Sequence, residues 1–180
     1  VIEMIALILD CETSDLIVNH SVKLERQPEI IEFCSFTTNL ETGERLQELE
    51  MLIQPKNPIS AKITEITGID NEGLKYAPPF KDFAEAIKIN LETALTVIAH
   101  NMSFDAEMLD IEFERLGTKI IWPRRICTVE NSIFVKGYRL NQQALYAHLF
   151  PGESYKAHRG RSDVEALERI CLELFKRGEL

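Results

Sequence analysis

The stretch MIALILDCET, residues 4–13, constrains this chain more than any other. MIALIL reads as a fully buried strand: short, apolar, rich in β-branched residues and ended by polar ones. It runs straight into Asp10, and Glu12 follows with only Cys11 between them. Side chains alternate faces along a strand, so Asp10 and Glu12 share one side and repel each other. A divalent cation between them would turn that cost into a binding site.

The elements that follow read as an α/β layout. IIEFCSFTTNL alternates well enough for a second strand and RLQELEMLIQP for a third, with the Gly-containing turn ETGE making them a hairpin. The second strand is expected to return against MIALIL, giving an antiparallel meander. Ser60 can cap a short helix through KITEIT that Gly68 stops. FKDFAEAIKINL has helical spacing, LTVIA reads as a buried strand, and SFDAEMLDIEFERLG reads as an amphipathic helix capped by Ser103 and ended by Gly117. RICTV supplies a last short strand, and NQQALYAHLF and RSDVEALERICLELFKRG two further helices. The last carries Val164, Leu167, Ile170, Cys171 and Leu174 on one stripe that would cover a sheet face. Hairpin strands followed by alternating helices and strands make a mixed sheet flanked by helices.

Composition fits this reading. The chain has 180 residues, 45% hydrophobic and 27% charged, which suits one soluble globular domain, residues 1–180. The N-terminal VIEMIALIL is too short to span a membrane and lacks the basic start and cleavage site of a signal peptide. Cys11, Cys34, Cys127 and Cys171 are scattered among apolar neighbours with no Cys-x-x-Cys pair, as expected of free buried thiols in a reducing cytoplasm. The formal charge of -9 argues against a long basic surface for gripping nucleic acid. An enzyme that holds a few nucleotides through metal ions remains compatible with it.

Acids recur at the edges of apolar elements. Besides Asp10 and Glu12, Asp105 falls in the first turn of the helix after LTVIA, and Asp163 falls near the start of the last helix. Taken singly, Asp105 and Asp163 are acids that a helix dipole favours. Together the four can meet at one edge of an α/β fold, where strand ends and helix N-termini converge. Hard oxygen ligands suit Mg²⁺ or Mn²⁺, and two such ions can clamp the attacking and leaving oxygens of a phosphoryl displacement. His158, five residues before Asp163, supplies the remaining need, since imidazole is the natural general base near neutrality.

Three motifs carry a specific resemblance. Asp10-Cys11-Glu12-Thr13, Ala99-His100-Asn101-Met102-Ser103-Phe104-Asp105, and His158 with Asp163 resemble the first, second and third motifs of the DnaQ-like 3'-5' exonucleases of the DEDDh class, in the expected order. ITEITGID resembles the family's helix-Gly segment between the first two. The resemblance implies a ribonuclease-H-like fold with a five-stranded sheet, and removal of nucleoside monophosphates from a 3' end. It implies that Asp10 bridges two ions, that Glu12 and Asp163 complete the nucleophile's metal site, and that Asp105 supports the second ion through water. It makes His158 the general base. It places Thr13 and Leu16 in the terminal nucleotide's pocket, Ile66 as a wedge against its base, and Phe104 on the nucleotide beside Asp105. His100 and Asn101 are expected to shape the motif loop. Two departures stand out: Asp15 where the family often has Gly, and Gly160 where Ala is frequent. The second is expected to loosen the loop that carries His158.

Lys156, Arg159, Arg161, Arg124 and Arg125 offer local positive charge for backbone phosphates. The leading expectation is a metal-dependent exonuclease on DNA 3' ends, single-stranded preferred, with a DNA polymerase or a replication or repair complex as a possible partner and no membrane association. CTVENSIFVKGYRLNQQALYAHL resembles the corresponding part of exonuclease X and of proofreading subunits. The sequence stops just after the last helix, as expected of a stand-alone nuclease or an isolated catalytic domain. An exoribonuclease of the ribonuclease T or oligoribonuclease type is the alternative, because the motifs do not distinguish sugars. A non-catalytic nucleic-acid-binding module is the remote one, since such a module should have lost some of these five residues.

Overall fold

The apolar run at the N-terminus becomes the central strand of the sheet. The computed structural model describes residues 4–19 and 21–180; residues 1–3, the start of the VIEMIALIL stretch, lie outside that range. Strand β1 (Ile5–Thr13) sits in a five-stranded sheet of order β3-β2-β1-β4-β5. Strands β2 (Ile30–Asn39) and β3 (Arg45–Leu52) extend it antiparallel, and β4 (Thr96–Ala99) and β5 (Arg124–Cys127) extend it parallel on the other side. This is the expected mixed sheet. β1 continues beyond MIALIL because β2 goes on pairing with it, setting Asp10 opposite Cys34 and Glu12 opposite Glu32.

Helices cover both faces, and alternation along β1 decides what each face carries. Leu7, Leu9 and Cys11 pack against α3 (Phe80–Thr93) and α4 (Met102–Arg115), through side chains such as Ile87, Leu91, Leu109 and Phe113. Ala6 and Ile8 face the other way, onto Val164, Leu167 and Cys171 of α7 (Gly160–Arg177). Asp10 and Glu12 continue that second row. The apolar stripe expected on the last helix is buried throughout, and α6 (Gln142–Leu149) packs on its flank through Leu145 and Leu149. Helix α1 (Ala61–Thr67) is capped by the Ser60 hydroxyl, which accepts from the Ile63 amide at 3.3 Å, and ends at Gly68 with φ 71°.

Local details differ from the expected elements. RICTV is strand only to Cys127; Thr128 opens an unexpected helix, α5 (Thr128–Lys136), which ends at Gly137 with φ 86°. A four-residue helix, α2 (Asn71–Leu74), follows the Asp70 cap. α4 is not capped by Ser103: it starts one residue earlier, behind Asn101 in the left-handed region at φ 69°. None of the helices among the described residues is long and apolar enough to cross a membrane. All four cysteines are free; Cys11, Cys34 and Cys171 are buried, and Cys127 is partly so.

The long connection from β1 to β2 is held to α4 by one side chain. Arg115 donates to the carbonyls of Leu24 (3.0 Å), Gln27 (2.6 Å) and Pro28 (3.0 Å), and pairs with Glu112 at 3.1 Å. Glu112 in turn accepts from the Ile30 amide at 2.9 Å, and the Gln27 side chain accepts from the Val18 amide at 3.0 Å. An internal charged donor thus replaces the sheet partners this connection lacks. Arg115→Ala should cost about 1.5–3 kcal/mol in denaturant titration, the range for hydrogen bonds to charged groups. It should also speed amide exchange at Val18; unchanged exchange there would show that the clamp does not hold the segment.

Candidate active site

The C-terminal half of β1 delivers Asp10 and Glu12 to the face covered by α7, and the first turn of α7 delivers Asp163. One carboxylate oxygen from each of the three lies within 4.8 Å of the others. No lysine or arginine among the described residues forms an ion pair with any of them. Asp105 reaches the same edge from α4, on the opposite side of the sheet. Its Oδ1 accepts the Cys11 amide at 3.0 Å, which fixes it against the strand between Asp10 and Glu12. The structure therefore brings three of the four expected acids into one tight group and sets Asp105 beside it.

Crowding and burial leave a clear electrostatic mark. Burial pushes Asp10 well above the usual carboxylate range, and the charges of Asp105, Glu12 and Asp163 push it the same way. Glu12 is raised to about 8 by burial and then by Asp163, Glu32 and Asp105, with Arg159 only partly opposing. Burial raises Asp163 as well, against the Arg159 amide and the charge of His158. Asp105 is raised by burial to about 7, with the Cys11 amide holding it back. Carboxylates raised by burial and by one another, with oxygens close enough to share one ion, are a donor set suited to a hard divalent cation. The residues present fit that group.

His158 lies on the exposed loop before α7, in the left-handed region at φ 64°. Only Asn101, the residue preceding α4, shares that conformation among the described non-glycine residues. Backbone of this kind is uncommon outside glycine and marks positions that the surroundings dictate. The loop is tied down on both sides of the histidine. Asp163 Oδ2 accepts the Arg159 amide at 2.8 Å, and the Ser162 hydroxyl donates to the Lys156 carbonyl at 2.6 Å. His100 serves the motif loop, as expected: its Nδ1 lies 2.8 Å from the Thr128 hydroxyl, joining the end of β4 to the start of α5. Burial lowers it to about 4, which keeps the ring neutral at physiological pH.

The expected nucleotide-pocket residues divide. Leu16 and Phe104 line the same open groove, about 450 Å³, with Val18, Asn101 and Glu107. Thr13 does not line it: the side chain is buried and its hydroxyl donates to the Asp15 carbonyl at 2.8 Å, shaping the turn instead. Ile66 is exposed on α1 and is not part of this groove either. A more enclosed cavity, between Ile30, Phe80, Glu112 and Arg115, contains none of the four acids. Asp15 adopts no left-handed angle, so the turn needs no glycine there.

Two expectations about charge and flexibility change. Arg161 is spent on Glu165 (3.0 Å), Glu48 (2.9 Å) and Glu50 (3.2 Å), and Arg159 reaches Glu32 at 3.4 Å. Arg125 lies over Trp122, 5.4 Å from the ring centre, while Lys156 and Arg124 are exposed. Gly160 does not loosen the loop. It is buried, its amide donates to Glu32 Oε2 at 2.7 Å, and a Cβ there would meet Cys34 and Glu32 at 3.1 Å. Glu32 was missed in the sequence; its signal was a lone carboxylate inside the otherwise apolar start of IIEFCSF.

Comparison with known proteins agrees with this geometry. A profile described as exonuclease matches residues 7–171. The chain is 30% identical over 142 residues to a DNA polymerase III of PolC type from Bacillus cereus, covering 74% of this chain and 9% of that protein. It is also 30% identical over 142 residues to the 3'-5' exonuclease DinG of Bacillus subtilis, covering 77% of this chain and 15% of the relative. It thus spans only a small part of the curated relatives' length. Among solved structures, exonuclease X in complex with 5' overhanging duplex DNA superposes with a TM-score of 0.70 at 19% identity, covering 96% of this chain and 93% of that one. The nuclease domain of 3'hExo, a DEDDh family member bound to rAMP, gives 0.77 at 18%, covering 98% and 94%. These likenesses extend the fold, a ribonuclease-H-like sheet flanked by helices, over nearly the whole chain. With the family match spanning residues 7–171, the chain belongs to the exonuclease family.

Proposed function

We propose that residues 1–180 form one catalytic domain that hydrolyses the terminal phosphodiester at nucleic-acid 3' ends, releasing nucleoside monophosphates with Mg²⁺ or Mn²⁺, two ions per site. The observation that carries this is the group of Asp10, Glu12 and Asp163, whose oxygens lie within 4.8 Å of one another with no lysine or arginine ion-paired to them among the described residues. Asp10, Glu12 and Asp163 would hold the ions, with Asp105 supporting from α4. Bound there, the ions would activate a water and neutralise charge building on the leaving oxygen. His158 would take the proton of that water: it stands exposed on the loop leading into α7, five residues before Asp163. The groove between Leu16 and Phe104 would receive the terminal nucleotide, with an apolar wall for the base. Thr13 would contribute by shaping the turn that carries Leu16.

DNA is the favoured substrate, single-stranded ends first. The relatives named as DNA polymerases and the exonuclease X complex with DNA support it, and they support work beside a polymerase in replication or repair. The free cysteines suit a reducing cytoplasm. The rAMP-bound neighbour makes RNA the comparison that an assay must include.

With 3'-terminated single-stranded DNA, duplex DNA and RNA of one sequence, Mg²⁺ or Mn²⁺ should support stepwise loss of mononucleotides, and a chelator should abolish it. His158→Ala should slow the reaction roughly a hundredfold or more, and Asp10→Ala should lose more. Internal cuts, metal-independent cleavage or full activity of either variant would contradict the reading.

The raised acids also set a pH dependence. Glu12 is raised from 4.5 to about 8, so the folded state retains its proton more tightly than the unfolded chain does. Its stabilising contribution is therefore complete below about pH 4.5 and is lost as pH rises toward 8. In metal-free protein the melting temperature should fall across that window, and Glu12→Gln should flatten the fall. Mg²⁺ should restore stability increasingly at higher pH, because ligation requires the charged forms. An identical slope in wild type and Glu12→Gln would rule out this origin.

A further inference from the structure

A buried carboxylate outside the three motifs faces the same site. Glu32 is 1% exposed, stands directly opposite Glu12 across the β1–β2 pair, and shares the α7-facing row with Cys34 and Phe36. Like charges placed opposite each other on neighbouring strands destabilise a sheet, so this position demands compensation. The compensation comes from α7. Glu32 Oε2 accepts the amide of Gly160, the first residue of that helix, at 2.7 Å, and Oε1 lies 3.4 Å from the Arg159 guanidinium. No side chain of the residue preceding α7 caps the helix, so the carboxylate of another element satisfies one of its open donors.

We infer that Glu32 is a positioning residue: by holding the Gly160 amide, it fixes the start of α7 and with it the separation of His158 and Asp163 from Asp10 and Glu12. Three observations meet on this contact. His158 is held at φ 64°, two residues before the tethered amide. Asp163 binds the Arg159 amide at 2.8 Å, so two adjacent amides are gripped by two carboxylates from different elements. The space is closed around the contact, because a Cβ on Gly160 would lie 3.1 Å from Glu32 Oε2 and 3.1 Å from the Cys34 Cβ. Glycine at this position therefore permits close approach to Glu32, which explains the departure from alanine that the motif shows. Glu32 lies outside the tight oxygen group of Asp10, Glu12 and Asp163, and its own oxygens are taken by α7 donors. Its role is to hold backbone.

The catalytic part of this inference rests on the nuclease reading; the structural part does not, and the test separates them. Amide exchange in metal-free protein is measured at Gly160 for wild type, Glu32→Gln and Glu32→Ala, with kcat and KM on a 3'-terminated oligonucleotide. Glutamine keeps an acceptor for the amide, so exchange should remain slow and kcat should stay within about threefold of wild type. Alanine removes the acceptor: Gly160 should exchange faster, and kcat should fall roughly tenfold or more with KM little changed. Gly160→Ala, pressing on the same contact from the other side, should lower kcat in the same direction even where Glu32→Ala folds poorly. Equal loss in Glu32→Gln and Glu32→Ala would assign the effect to charge and overturn the positioning role. So would unchanged exchange and kcat in Glu32→Ala. Absence of nuclease activity in wild type would sink the proposed function while leaving the exchange comparison decisive for the tether.

Discussion

Repulsion among carboxylates at the end of β1 is the constraint on which the rest of the structure depends. Asp10, Glu12 and Asp163 are held with oxygens within 4.8 Å of one another, and Asp105 presses against the same strand. Left to themselves such groups would separate or take up protons. Here the backbone prevents separation. The β1–β2 ladder fixes Asp10 and Glu12, the Cys11 amide fixes Asp105, and the Arg159 amide fixes Asp163. The apolar layers beneath make those anchors rigid: Leu7 and Leu9 lock β1 to α3 and α4, while Ile8 locks it to α7. A cluster that is unfavourable when empty and cannot relax is preorganised for cations, which is how folds commonly hold strain at a functional site.

The distribution of positive charge follows the same logic. A chain of net charge -9 has little general attraction for a polyanion, and several of its arginines are already engaged within the fold. Arg161 bridges α7 to Glu48 and Glu50 on β3, and Arg115 ties down the β1–β2 connection. Arg161 thereby organises the α7–β3 flank of the site, while Arg115 acts at the opposite end of α4 from Asp105. Attraction for phosphate is thereby left to bound ions and to exposed residues such as Lys156 and Arg124.

Much of this was legible in the sequence because it rests on local patterns. The apolar run of MIALIL, the alternation of the second strand, and the stripe from Val164 to Leu174 each announce their element and face. The four acids were legible as edge positions, and alternation placed Asp10 beside Glu12. What escaped depends on contacts between distant segments. The α5 helix lacks a strong apolar stripe and grows directly from β5 behind His100, whose bond to Thr128 crosses from another strand. The partnership of Glu32 with Gly160 joins positions 128 residues apart, so neither residue announces the other. Gly160 consequently read as a source of looseness when it is a point of close packing. Thr13 read as a pocket residue, and its hydroxyl turned out to serve the turn at Asp15.

The central claim is that this acidic edge exists to bind divalent cations. Mn²⁺ binding followed by electron paramagnetic resonance tests it most directly, on wild type and Asp10→Asn, with and without a nucleoside monophosphate. The account predicts saturable binding that approaches two ions per chain with the monophosphate present, and severe weakening in the variant. Equal binding by both proteins, or none by wild type under either condition, would contradict it.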